Sequence, residues 1–232
     1  MNSPSRHRGE ADATEAGSPL PSEQPSLIVR GLRKRFGRLP VIDGFSERFL
    51  GGAHALVGPN GVGKSTLLGL MAGALASDEG EIEVSGFDLR ERPLAARQCI
   101  GYAPEESVLY PFMSGAELLR LVRLAKRVDT SPEQARLIRD FGLEESLGRR
   151  VENMSQGTRK KLLIAAALTG EPEVLLLDEP SNALDAGSLD ALSALIREGV
   201  ARRTIVFASH DETFVETVGA RIVPVARAAP RT

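Results

Sequence analysis

Cysteine is nearly absent from this chain. Cys99 is the only one in 232 residues, so no intrachain disulfide can form and a reducing cytoplasm is the expected compartment. An excess of charge of one sign is absent too. The 29 Lys and Arg against 31 Asp and Glu leave a net charge of −2, which gives no reason to expect a nucleic-acid partner. No apolar run approaches the roughly 18 residues that span a bilayer. The N-terminus has no apolar core of the kind a signal peptide needs. No internal repeat is visible, and each chemical motif occurs once.

What is present is ordinary for a globular protein: 42% hydrophobic and 26% charged residues. At 24.8 kDa, folding buries roughly 70% of the unfolded surface, so a sizeable core is feasible. Residues 1–26 are rich in Ser, Pro, Glu and Ala and hold a single leucine, which predicts a disordered tail. One folded domain is expected over residues 27–226, with a short tail at 227–232.

Ala53 to Val57 predicts a short buried strand that enters a Gly-rich turn, and a helix is expected from about Lys64 to Ala74. Ile82 and Val84 alternate with Glu81 and Glu83, as on a half-exposed strand. The character then becomes helical. Leu118, Leu121, Val122 and Ala125 share one helical face. Ser131, Pro132 and Gln134 form a capping box that opens a helix to about Phe141. Later segments alternate: a helix at about 156–168, a strand at 174–178, a helix at about 186–199 and a strand at Thr204–Ala208. Such alternation implies an α/β fold with a mostly parallel sheet and a helical insertion.

Residues Gly58, Pro59, Asn60, Gly61, Val62, Gly63, Lys64 and Ser65 fit the phosphate-loop pattern G-x-x-x-x-G-K-[ST] in full. The glycines let backbone N–H groups turn onto phosphate oxygens, and the following helix adds partial positive charge. Lys64 is expected to reach the β- and γ-phosphates, Ser65 to ligate Mg²⁺ and Thr66 to donate to the α-phosphate. Downstream, Val174 to Leu177 form an apolar run that ends in Asp178 and Glu179. A carboxylate at that strand end suits a Mg²⁺ shell, and its neighbour suits activation of a water. His210 follows the next apolar strand. A parallel neighbour places it at the same sheet edge, within reach of the γ-phosphate.

Together these residues resemble the ATP-binding subunit of ABC transporters, over about residues 27–212. Met154-Ser155-Gln156-Gly157-Thr158 looks like the family signature, in which Ser155 and Gly157 are kept. Asp178-Glu179 looks like the second Walker motif, Ser181 to Asp185 like the following loop, and His210 like the switch histidine. The resemblance implies a P-loop cassette with an antiparallel β subdomain and a helical subdomain at about 105–165. It implies that Phe36 stacks on adenine and that Glu105, where the family usually has Gln, faces Mg²⁺. It also implies head-to-tail dimers, with each ATP between Lys64 of one subunit and Ser155 and Gly157 of the other.

ATP and Mg²⁺ are the cofactors so implied. The partners are a second cassette, identical or not, and a separate transmembrane permease. The place is the cytoplasmic face of the cell membrane, and export is favoured over import. The chain as given leaves no room for a regulatory domain after the cassette. Two alternatives stay open: a soluble ABC ATPase outside transport, and a cassette that binds ATP but hydrolyses it poorly. The first usually carries long coiled-coil insertions or two cassettes, and neither is present here.

Three stretches have plainer readings. Val108 to Met113 is either a docking patch for the permease or local core, and burial of Tyr110, Phe112 and Met113 would decide for core. Arg30, Arg33, Lys34, Arg35 and Arg38 read as a solvated strand and turn. Arg159, Lys160 and Lys161 read as mostly solvated.

Overall fold

A computed structural model describes residues 26–105 and 110–228. The tail expected over 1–26 thus lies, but for Ser26, outside the described residues, as do Val108 and Leu109.

Two long strands come first, β1 (Leu27–Phe36) and β2 (Leu39–Phe49). Strand β3 (Gly52–Val57) runs into helix α1 (Lys64–Met71). Strands β4 (Glu79–Val84) and β5 (Phe87–Asp88) and the short helix α2 (Pro93–Gln98) lead to β6 (Ile100–Ala103). Helices α3 (Gly115–Lys126) and α4 (Pro132–Asp140) follow, then α5 (Gln156–Ala167). The chain closes with β7 (Val174–Asp178), α6 (Ala186–Gly199), β8 (Thr204–Ala208), α7 (Glu212–Thr217) and β9 (Arg221–Pro224).

The strands form two sheets. One is antiparallel in the order β2-β1-β4-β5, and the other is parallel in the order β6-β7-β8-β3-β9. The central strands β7 and β8 are buried at every position. Helices cover both faces of such a sheet, so its strands read as unbroken apolar runs. The register then places the chemistry. Asp178 lies opposite Ala208, and Leu56 lies opposite Ala208 on the other side. The turns after β3, β7 and β8 therefore leave the sheet at one edge.

Several local expectations change. Helix α3 begins at a capping box that the sequence reading passed over. Glu117 N donates to Ser114 Oγ (3.2 Å) while Ser114 N donates back to Glu117 (2.8 Å). Its buried stripe is rotated from the expected one: Leu118 and Leu119 go inside, whereas Leu121 is 43% exposed. Only half of the expected box at Ser131 forms. Gln134 N donates to Ser131 Oγ, but the Gln134 amide turns inward to Ala165 O (2.8 Å) and Thr169 Oγ1 (2.7 Å). A buried amide needs such partners, and here they tie α4 to α5. The basic run on β1 is salt-bridged. Arg30 meets Glu83, Arg33 meets Asp43 and Glu79, and Lys34 meets Asp78. These exposed pairs add little stability, but opposite charges facing across strands fit the observed register.

His54 on β3 gives a pH prediction. It is 4% exposed, with Nε2 donating to Leu50 O (2.8 Å) and Nδ1 accepting from Arg221 Nε (3.1 Å). Burial pushes its pKa below the usual 6.5. Above that value both folded and unfolded chains hold a neutral ring, and the fold keeps its full stability. Below it the unfolded chain takes up a proton that the folded one refuses, so stability falls. The denaturation midpoint should drop between about pH 7.5 and pH 5.5, and drop less in His54→Gln. Equal pH dependence in both proteins counts against this source.

Candidate active site

The phosphate-loop sequence connects β3 to α1. Gly61 and Gly63 have φ of 74° and 110°, a region L side chains avoid. A Cβ on Gly63 would also meet Val41 Cγ1 at 2.9 Å and Ile42 Cδ1 at 3.0 Å. Gly63 caps α1 without any side-chain hydrogen bond, so first-turn amides stay available to an anion. Lys64 is 7% exposed, and its Nζ donates to Gly58 O (2.9 Å) and Pro59 O (3.5 Å). An ammonium has three donors, so one is left for a ligand. Val62 turns its side chain into the core, leaving only its backbone to the loop.

Ser65 Oγ donates to Asp178 Oδ1 at 3.0 Å. Burial pushes the Asp178 carboxyl up, opposed by this hydrogen bond and by the charge of Lys160. Next to it, Glu179 is 7% exposed and adopts a φ of 45°. A left-handed conformation in a non-glycine residue costs about 1–3 kcal/mol and persists where surroundings enforce it. Here Glu179 N donates to Ala208 O (3.1 Å), and His210 Nδ1 lies 2.9 Å from Glu179 Oε2. The strained turn thus carries the carboxylate off β7 towards the histidine that leaves β8.

A cleft of about 490 Å³ gathers most of the predicted residues. Asn60, Lys64, Ser65 and Thr66 line it together with Glu105, Glu179 and His210. Phe36, at the end of β1, offers a 49% exposed side chain at the same cleft. Asn182 lines it as well, a residue that the sequence reading did not single out.

Ser65 and Asp178 are both hard oxygen donors. Among the described residues no cluster of three or more His, Cys, Asp or Glu offers a complete metal cage. The pair suits an ion that takes its other ligands from phosphates and water, as Mg²⁺ does.

Ser155 and Gly157 are not brought into this cleft. Ser155 caps α5, accepting from Thr158 N (3.1 Å) and sharing a hydrogen with Thr158 Oγ1 (2.8 Å). Gly157 packs so tightly that a Cβ there would stand 2.5 Å from Ala183 O. The basic stretch after them is not mostly solvated, contrary to expectation. Lys160 is buried and donates to Asp178 O (2.5 Å), while Lys161 pairs with Asp185 (2.6 Å). The cause lies beyond local sequence: α5 packs beside the end of β7, so one side of its first turns faces carbonyls and carboxylates. Tyr110 and Phe112 are 54% and 63% exposed, with ring centroids 5.8 Å apart, so they are not local core.

The family described as ABC transporter matches residues 49–182 of this chain. The chain is 32% identical over 213 residues to the ABC transporter ced-7 of Caenorhabditis elegans, covering 89% of this chain and 12% of that protein. It is 30% identical over 205 residues to the linearmycin resistance ATP-binding protein LnrL of Bacillus subtilis, covering 84% of this chain and 65% of that one. The chain thus spans a small part of the nematode protein and just under two thirds of the bacterial one. A solved ATP-binding subunit of an ABC transporter shares the fold with a TM-score of 0.77 at 29% identity, over 86% of this chain and 85% of that chain. The α/β cassette fold expected from the sequence is the one observed.

Proposed function

Since this chain belongs to the ABC transporter family, we propose that it is the subunit that binds and hydrolyses ATP to power such a transporter. One observation carries the proposal: the turns after β3, β7 and β8 bring Lys64, Ser65, Asp178, Glu179 and His210 to one sheet edge. Phosphoryl transfer asks mostly for positioning and charge stabilisation, and this edge offers both. The loop amides and Lys64 hold the β- and γ-phosphates. Thr66 donates to the α-phosphate, and Phe36 gives adenine a stacking face. Ser65 and Asp178, with Glu105 at the mouth of the cleft, are the groups that would hold Mg²⁺. When bound, that ion neutralises charge on the phosphate oxygens. Glu179 accepts the proton of the attacking water, and His210 fixes the carboxylate through its Nδ1 hydrogen bond.

Ser155 and Gly157 act on the nucleotide of a second cassette. Their place outside the subunit's own cleft supports this division, as does the exposed hydroxyl at the start of α5. Among the described residues no helix is long and apolar enough to cross a membrane, and the reading pairs the cassette with a membrane-spanning partner. The exposed Tyr110 and Phe112, with ring centroids 5.8 Å apart, give that partner a docking patch at the inner face of the membrane. A relative named for linearmycin resistance favours export as the direction.

The test is ATP-dependent dimerisation. Ser155→Arg should block it while sparing nucleotide binding by the monomer, because the larger cation fills the face offered to the partner. Lost capping costs only about 1 kcal/mol, so the variant should stay folded. Sedimentation with ATP under non-hydrolysing conditions decides: a dimer as stable as wild type refutes the composite site.

A further inference from the structure

We propose that Lys160 is the internal counter-cation of the catalytic carboxylates, and that it positions Asp178 by bridging the end of β7 to the loop that carries Glu105. The inference rests on the ATPase reading and deepens it. Lys160 belongs to α5 and is 5% exposed. Its Nζ donates to Asp178 O (2.5 Å) and to Pro104 O (3.5 Å), one residue before Glu105. Two carbonyls satisfy hydrogen bonds but do not neutralise a buried ammonium. Charge of the opposite sign does, and it stands nearby. Glu105 lines a second cavity together with Lys160, Arg159 and Gln156, and it lines the nucleotide cleft as well.

Burial pushes the Lys160 pKa down, while the charges of Asp178, Glu105 and Glu179 hold it up. These three carboxylates meet at the sheet edge where a triphosphate must also be accepted. Lys64, the other buried cation there, faces the phosphates. Lys160 is held instead by the main-chain carbonyls of Asp178 and Pro104, so its charge stays beside the carboxylates whether or not nucleotide is present. It touches no reacting atom and acts through Asp178 and Glu105. The bridge also ties the helix that begins at Gln156 to the backbone of the residue that carries this carboxylate.

The test is a cycle of Lys160→Gln and Glu105→Gln on the full chain. The first removes the charge and keeps an amide donor. Its first readout is thermal melting without nucleotide. Lys160→Gln should lower Tm by about 4 °C or more in the native background, the scale for a broken buried pair, and by less than half as much beside Glu105→Gln. An equal fall in both backgrounds overturns the proposal. Should Lys160→Gln alone fail to fold, the double variant is expected to fold, and its failure overturns the proposal too. The second readout is ATP turnover. The single variant should lose about tenfold and the double should recover most of it, because the charge imbalance, not the helix, is the lesion. A protein without any ATPase activity defeats the functional reading instead, and the melting cycle still decides the role of Lys160.

Discussion

Glu179→Gln should bind ATP as the native chain does and turn it over about 10²–10⁴-fold more slowly, the scale of a lost acid–base group. The substitution is nearly isosteric. His210 Nδ1 can still donate to the amide oxygen, and Glu179 N still donates to Ala208 O, so the strained turn at φ 45° keeps its supports. Only the ability to take a proton is lost. A residue serving merely to fold the turn would instead show lowered melting and unchanged turnover. Single-turnover kinetics separates the two, because binding and chemistry are read apart. The variant should also accumulate the ATP-bound dimer, since closure no longer leads to hydrolysis. Native turnover in Glu179→Gln rules the residue out as the base.

The sites of this chemistry were largely legible in the sequence, and the reason is physical. Strand β7 and strand β8 are buried on both faces, so their sequences are uninterrupted apolar runs with abrupt polar ends. Those ends are the turns that meet at one sheet edge, which is why Asp178, Glu179 and His210 could be placed together. The phosphate loop is equally plain, because its backbone path requires glycines at fixed positions. Harder to read was anything decided by a distant partner. Strand β1 carries charges whose acids come from β2, β4 and the turn before β4, so the sequence shows a basic, solvated strand and turn but not the carboxylates that pair it. Lys160 has the composition of a surface helix residue, and only the docking of α5 on β7 buries it. Helix α3 is rotated because one side is covered by α5 and the other is left open, and local periodicity does not encode which. Asn182 gave a local signal in the motif that starts at Ser181, but no residue chemistry there announced contact with the cleft.

Lys64→Ala should abolish tight ATP binding. The ammonium is held by Gly58 O and Pro59 O across the turn, which aims its remaining donor at the cleft and fixes the loop around it. Hydrogen bonds to charged groups contribute about 1.5–3 kcal/mol each, and one such bond lost corresponds to roughly a 10–150-fold weaker Kd. The loss of a full positive charge opposite a triphosphate adds to this. The fold itself has little reason to fail, since the two carbonyls released lie beside an open cleft and can take water. Titration with a fluorescent ATP analogue, beside a melting curve, reads both quantities at once. Weak binding with native melting is the expected pair, and it separates Lys64 from residues such as Val62 whose side chains serve the core. Unchanged affinity refutes the assigned contact with the phosphates, whatever happens to turnover.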